Sequence, residues 1–342
     1  MTAPGDQGGA PGLERIVATI RHHLELGTAV AVNVTEIDEF TNINYVYRAE
    51  LPDRSLYVKV VPERPKRLPA SLPRERVRSE AEAMRRFRSL AGDAIVVPEV
   101  LFVDDREMAF AMTDVGRGRQ VLFPVLADRY ALLTEQAERL GQALGQVHGG
   151  TRGSGPLRPA AERAIVRKVI FDGLMAPGAR EVFPELWDEV GSEMQAHDEC
   201  LVHADLWSKN LLARTGAPLA VVDFEGAFYG DPAFDLGTLA AVALVPALER
   251  RALLPAALDF TARLCRSWAA ACGDEKWPVE VLPRTFRATA TFLAARGRGP
   301  FAYAMADEAR SQIARLARSL AAAPPAEFAS FRSRVLEHAE TS

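Results

Sequence analysis

Cysteine is scarce in this sequence, with three among 342 residues, and Cys200, Cys265 and Cys272 stand far apart with no C-x-x-C pair. A disulfide scaffold is thereby excluded. Free thiols used as small core residues imply a reducing, cytoplasmic setting. Long apolar runs are absent as well, and none approaches the roughly 18 to 20 residues that a membrane span requires. The opening MTAPGDQGGAPG has neither a basic n-region nor an apolar h-region, so no signal peptide is expected. Small, polar and rich in Gly and Pro, it predicts a disordered segment over 1–12. Charge of one sign is lacking too: 41 basic against 45 acidic side chains leave a formal −4. Such a balance provides no field to recruit nucleic acid or an anionic membrane, and neither is expected as a partner. No repeat recurs at a fixed period, which excludes a solenoid.

What is present is an ordinary globular composition, 48% hydrophobic and 25% charged, at a length that favours two lobes sharing a cleft over one core. Helical spacing from Leu13 to Leu26 gives way to three β-rich runs, AVAVNVTEI, NYVYRAEL and SLYVKVV, which predict a small antiparallel sheet. The Pro-rich PERPKRLPASLPRER that follows predicts a surface loop. In RVRSEAEAMRRFRSLA, Val77, Ala81, Met84, Phe87 and Leu90 recur every three or four residues, one buried face of a helix. IVVPEVLFVDD and MAFAMTDV then predict two more strands. After Asp128 the character is helical, in YALLTEQAERLGQALGQVH, from Ala160 to His197, and in nearly everything beyond Asp235. The expected architecture is α+β, with a small amino-terminal antiparallel β lobe over 13–115 and a larger, mostly α-helical lobe over 116–342.

One island of β character interrupts the helices: CLVHADLWSKNLLARTGAPLAVVDFEGAFYG. It holds His203, Asp205 and Asn210 as H-x-D-x-x-x-x-N, and thirteen residues beyond Asn210 the apolar run PLAVV delivers Asp223 in D-F-E. The Gly-Ala-Pro turn predicts one short hairpin that carries all three. Phosphoryl transfer needs this kit: a carboxylate to take the acceptor hydroxyl's proton, and an amide oxygen with a second carboxylate to hold a metal on the phosphates. Taken singly, Asp and Asn favour turns and strand ends for local hydrogen-bonding reasons; the set and its spacing make the chemical reading the stronger. His203 is expected to hold the loop by hydrogen bonds.

HADLWSKN followed by VVDFEGAFYGDPAFDLG resembles the aminoglycoside phosphotransferase and choline kinase superfamily, whose fold is bilobal and protein-kinase-like. The FYG…FDLG run resembles 5-methylthioribose kinases most. The resemblance spans roughly residues 30–320. It implies that Asp205 is the catalytic base, that Asn210 and Asp223 are Mg2+ ligands, that Asp235 braces the loop, and that Glu225 also faces a metal. It assigns 13–115 to nucleotide binding and 116–342 to catalysis and acceptor binding.

Lys59, in the apolar strand SLYVKVV, is either a lysine at a strand edge or, on the resemblance, the ammonium that meets the α/β phosphates of ATP or GTP. Its implied partner is Glu80, with Glu82 the fallback; two residues apart on a helix, the two point about 200° from each other and cannot share the role. The loop over the phosphates is expected in DEFTNINYVYRAEL, with Asn42 and Asn44 as contacts. It lacks the glycines that allow close backbone approach. Backbone groups of Thr113 to Val115 are the expected partners of a purine edge, from their order along the chain. His148, ending QALGQVH, is expected to pack at a helix end.

The activity implied is a magnesium-dependent transfer of a γ-phosphoryl group to a small-molecule hydroxyl. A non-catalytic binding module of the same fold is the alternative from another class. A protein kinase fits less well, since Ala204 stands where H-R-D has Arg and no long activation segment follows. From Pro246 onward there are 14 Lys and Arg against 10 Asp and Glu, a local excess of +4, so residues 1–245 carry −8. A wall of that sign does not suit a polycationic aminoglycoside, the alternative acceptor, because desolvated ammonium groups need paired carboxylates. Arg284, Arg287, Arg296 and Arg298 lie in this segment among aromatics. Arg296 and Arg298 stand where the resemblance places a sugar-binding arginine pair, so the expected acceptor is a ribose-type sugar or the sugar of a nucleoside antibiotic. Association as a homodimer is left open.

Overall fold

The computed structural model describes residues 12–39, 43–67, 72–123, 127–300 and 302–340. The expectations for Asn42 and for all but Gly12 of the opening segment therefore fall outside the described residues. Helix α1 (Leu13–His23) is followed by strands β1 (Asn33–Ile37), β2 (Tyr45–Glu50) and β3 (Ser55–Val60), helix α2 (Arg76–Ala91), and strands β4 (Val100–Asp104) and β5 (Ala109–Thr113). The sheet runs β1-β2-β3-β5-β4 with every pairing antiparallel, which makes β3 its middle strand.

Side chains alternate across a strand, and this alternation sorts the sheet's two faces. Leu56, Val58 and Val60 of β3 join Tyr47, Ala49, Phe102, Ala109 and Ala111 in a core closed by Ile16 and Ile20 of α1. Lys59 therefore faces the other way, beside its cross-strand partner Phe110. On that side Phe110 meets Val77, Ala81, Met84 and Phe87 of α2, the face expected from their spacing, in a larger cluster that continues through the helical half to Ala339.

The carboxyl-terminal half begins with β6 (Gln120–Val121), α3 (Ala127–Thr134), α4 (Ala137–Thr151), α5 (Ala160–Lys168), a π-helical turn (Val169–Met175), α6 (Ala176–Val182) and α7 (Trp187–Ala196). Two stretches that read as continuous helix are broken. Between α3 and α4 the Thr134 hydroxyl donates to the Ala131 carbonyl (3.1 Å), the local side-chain bond that competes with helix propagation. Between α5 and α6, Pro177 has no N–H to continue the ladder, and the preceding turn widens.

The β island then forms β7 (Cys200–Val202), β8 (Leu211–Ala213), β9 (Ala220–Val221) and β10 (Phe228–Gly230). β8 and β9 form the hairpin expected around the Gly-Ala-Pro turn, with β6 on the other side of β8, but β7 pairs instead with β10. His203 to Asn210 link β7 to β8 and Asp223 to Gly226 link β9 to β10, so two crossovers between two small sheets present the motif residues. Helices α8 (Ala233–Glu249), α9 (Leu254–Ala271), α10 (Trp277–Arg298), α11 (Asp307–Ala322) and α12 (Phe328–Glu340) complete the chain.

Gly141, Gly145 and Gly149 line one face of α4, where an added Cβ would lie 2.3, 2.6 and 2.3 Å from the carbonyl oxygens of Leu264, Trp268 and Cys272. Only glycine admits α9 at that distance. The three cysteines are free and buried, and burial pushes the Cys265 thiol up to about 12. Among the described residues no helix is long and apolar enough to cross a membrane.

Candidate functional site

Lys59 is buried at 4% exposure in the middle strand, so the edge-lysine reading fails and its ammonium must find partners inside the protein. Its Nζ donates to Glu80 Oε1 (2.6 Å) and Asp223 Oδ1 (2.7 Å), with Glu225 Oε2 at 3.3 Å. Burial alone would lower this ammonium, but Asp223, Glu225 and Glu80 together hold it well above its ordinary value. Glu80 sits on the inner face of α2, while Glu82 is only half-buried and pairs with Arg86 at 2.8 Å. Helix geometry thus delivers the first glutamate and not the second.

The two crossovers are tied together from behind. Asp235, wholly buried in the first turn of α8, accepts the N–H of His203 on Oδ2 (2.8 Å) and that of Ala204 on Oδ1 (2.9 Å). His148 Nδ1 accepts the Trp268 indole N–H (3.0 Å), which leaves its Nε2–H to donate to Asp235 Oδ2 (3.2 Å). The α4–α9 glycine contact therefore supports the loop, and His148 does more than pack a helix end. His203 Nδ1 accepts the Asp205 N–H (3.2 Å) and its Nε2–H donates to the Val222 carbonyl (3.2 Å), joining one crossover to the other. Burial lowers the His203 pKa, as a neutral ring with one donor and one acceptor requires.

Ala204 (φ 64°) and Asp223 (φ 67°) are left-handed without being glycine, a conformation that costs about 1–3 kcal/mol each and gathers at functional sites. The Asp235 carboxylate offsets the first, and Lys59 anchors the second. Asn210 Nδ2 donates to the Asp205 carbonyl (2.9 Å) and to its Oδ2 (2.7 Å). The Asp205 carboxyl is raised from 3.8 to about 7 by burial, with Lys209 opposing and Asp223 reinforcing. Burial would also raise Asp223, but Lys59 and Lys209 outweigh it and lower that carboxyl. Glu225 is raised by burial and by Asp223, and burial raises Glu80 to about 7 against the pull of Lys59.

Asn44 is buried rather than turned to an open phosphate cradle. Its Nδ2 donates to Glu225 Oε2 (2.5 Å) and its Oδ1 accepts from Arg76 Nη2 (2.9 Å). Burial lowers Arg76 to about 10. At the strand end after β5, the Thr113 N–H is spent on the Glu99 carbonyl (3.0 Å) and its hydroxyl accepts the Glu99 N–H (2.9 Å). The Val115 carbonyl accepts from Arg119 (3.3 Å). Thr113 is thus committed to the sheet, which its order along the chain could not show.

Beyond Asp205 the cleft is aromatic. The Arg296 guanidinium lies 3.9 Å above the Trp207 ring and 5.8 Å from Tyr303, and Lys209 Nζ is 4.8 Å from Trp207. Phe123 closes the cluster, 5.5 Å from Trp207 and 5.6 Å from Tyr303. Arg296 is 6% exposed.

A family model described as the phosphotransferase enzyme family matches residues 37–273. The chain belongs to that family. It is a small-molecule phosphotransferase with a protein-kinase-like fold. A choline/ethanolamine kinase family protein from Mesorhizobium loti is similar at 18% identity and TM-score 0.52, over 96% of this chain and 100% of that one. An ethanolamine kinase from Plasmodium vivax is 14% identical with TM-score 0.47, over 93% and 88% of the two chains. At such identities the likeness concerns the fold alone. A search of the curated proteins finds no match.

Not every expected residue reaches the phosphotransferase's cleft. Arg298, two positions past Arg296, points about 200° around the helix and pairs with Glu181 at 3.5 Å. Arg284 is spent on Asp231 (2.7 Å) and Glu199 (2.8 Å), and Arg287 on Glu193 (2.5 Å) and Glu189 (3.2 Å). Arg287 and Arg298 thus tie α10 to α7 and α6, and Arg284 ties it to the residues just before β7 and just after β10. Conversely, Arg76, Arg158, Phe123, Trp207 and Tyr303 lie at or directly behind the site without having been singled out. Only Trp207, inside HADLWSKN, carried a signal.

Proposed function

We propose that this phosphotransferase moves the γ-phosphoryl group of ATP or GTP to a hydroxyl of a neutral or anionic small molecule, a ribose-type sugar or the sugar of a nucleoside antibiotic. The observation that carries the reaction is the convergence of Glu80, Asp223 and Glu225 on one buried ammonium beside the half-buried carboxyl of Asp205. Lys59 holds the α/β phosphates and Glu80 aims it. Asp205 takes the acceptor's proton as the hydroxyl oxygen bonds to the γ-phosphorus and the bond to the β-phosphate oxygen breaks, releasing the nucleoside diphosphate. Asn210, donating to Asp205, fixes that carboxylate's orientation.

Among the described residues no three or more His, Cys, Asp or Glu side chains form a metal cage of their own. That fits magnesium, which takes one or two carboxylates and completes its octahedron with water and phosphate oxygens. Asp223, Glu225 and the amide oxygen of Asn210 supply hard oxygen donors, and the crowding of carboxylates is relieved by a divalent charge. Bound there, magnesium would neutralise charge on the β and γ phosphates.

Arg296 supports the acceptor class. An aromatic cluster open to a ligand would attract an ammonium, but here a guanidinium already covers Trp207, and Lys209 stands on the same ring. A further cation would be repelled by these two, whereas hydroxyls, carboxylates or a flat heterocycle are accommodated. Phosphoryl transfer from ATP and GTP to ribosides, nucleoside antibiotics and kanamycin, followed by mass spectrometry, tests the proposal; a ribosyl product is expected. Phosphorylation of kanamycin with no riboside turnover would overturn the acceptor assignment.

A further inference from the structure

Arg158 has no part in the reaction just described, yet its side chain is fully buried and all of its outward nitrogens are spent. It lies two residues ahead of α5. Its Nε donates to the Ala227 carbonyl (2.6 Å) and its Nη2 to the Glu225 carbonyl (2.7 Å). Its Nη1 donates to Glu162 Oε1, and the other oxygen of Glu162 accepts from Ser79 Oγ (3.1 Å). Ser79 immediately precedes Glu80. Resting on the phosphotransferase reading, we propose that Arg158, Glu162 and Ser79 form a positioning relay that sets the Asp223–Glu225 loop against α2, so that nucleotide-bound magnesium and Lys59 meet one preassembled clamp.

The chemistry of each link favours this role. Two main-chain carbonyls two residues apart can be gripped together by the fixed fork of a guanidinium, which an ammonium cannot reproduce. A buried cation requires a carboxylate, and Glu162 provides it while its second oxygen reaches α2. The relay therefore leaves the side chains of Asp223 and Glu225 untouched and grips only the main chain at Glu225 and Ala227. Asn44 and Lys59 hold the Glu225 carboxylate from above. Hydrogen-bond partners one shell out from a metal commonly change its affinity by about 10- to 100-fold, whereas a brace needed only for folding would weaken every ligand alike.

Calorimetry of the full chain with the non-hydrolysable nucleotide AMP-PNP, with and without magnesium, separates these cases. In Arg158→Lys the gain in affinity on adding magnesium should fall at least about tenfold, with metal-free affinity held within about twofold. Ser79→Ala removes one neutral hydrogen bond and should lower the same gain about threefold; it decides the matter if the lysine variant does not fold. An unchanged magnesium gain, or equal losses with and without metal, would overturn the relay while leaving the phosphotransferase clamp standing. Absence of magnesium-dependent binding in the unaltered protein would overturn both.

Discussion

The two ends of the cleft are built on opposite principles. At the proposed phosphate end Lys59 lies among three carboxylates at 2.6 to 3.3 Å, Asn44, itself bonded to Arg76, holds the Glu225 carboxylate, and Arg158 holds the loop from behind. At the acceptor end Arg296 rests on aromatic faces, 3.9 Å from Trp207 and 5.8 Å from Tyr303. A reaction common to many acceptors needs fixed charges, because phosphate geometry does not vary. Acceptors do vary, and stacking surfaces tolerate different shapes where a set of ion pairs would not. Asp205 stands where the two ends meet.

Breaking that junction should have the largest effect. Asp205→Asn keeps the size of the side chain and a partner for Asn210, so the fold and nucleotide affinity should persist while turnover falls at least about a hundredfold. The sign of the pH dependence follows from the carboxyl at about 7: a base must be ionised, so kcat/KM should fall tenfold per unit below about pH 7 and level off above it. Steady-state kinetics from pH 5 to 9 check both. Near-normal turnover in the variant, or an acid limb that survives it, would remove Asp205 from the mechanism.

The next effect sharpens the contrast within the phosphate end. Asp223→Ala should cost about 10- to 100-fold in affinity for the magnesium nucleotide and little for the metal-free form. Lys59→Ala should weaken both forms, and it should lower the melting temperature, since removing one partner of a buried ion pair costs about 3–5 kcal/mol. Calorimetry with and without magnesium distinguishes them. If Asp223→Ala binds the magnesium nucleotide as the unaltered chain does, the clamp is misassigned.

The same division explains what was legible beforehand. Asp205, Asn210 and Asp223 were readable from one compact motif and its spacing, whereas Lys59, Glu80 and Asp235 were singled out by the family resemblance; the structure brings all six together. Asn44 was named but for another contact: its buried partners, Glu225 and Arg76, are distant in sequence. Thr113 shows the limit of order along the chain, which does not reveal that Glu99 takes its amide. The expected hairpin is present as β8–β9, but the motif residues flank it on two crossovers because β7 pairs with β10, while β8 takes β6, from outside the island, as its second partner. Phe123, Trp207, Arg296 and Tyr303 span 181 positions of the chain, so no local pattern joins them. Arg158 sits between two prolines in PLRPA, with nothing to mark it.

The smallest effect belongs to the acceptor end and tests whether its cation is chosen or incidental. Arg296 and Arg298 are separated by one residue and have the same charge, so an effect of the general field would be shared between them. A stacked guanidinium at the cleft would not be. Lysine keeps the charge of Arg296 but loses the planar contact with Trp207, and a desolvated cation–aromatic pair is worth about 2 kcal/mol. Arg296→Lys should accordingly raise the KM of the acceptor proposed above by about tenfold and leave the nucleotide KM in place. Arg298→Ala, which removes only a partly exposed pair with Glu181 at 3.5 Å, should change either KM by less than about twofold, as surface ion pairs contribute little. An unchanged acceptor KM in Arg296→Lys would mean that charge alone acts at this end, and the contrast between fixed charges and stacking faces would be lost.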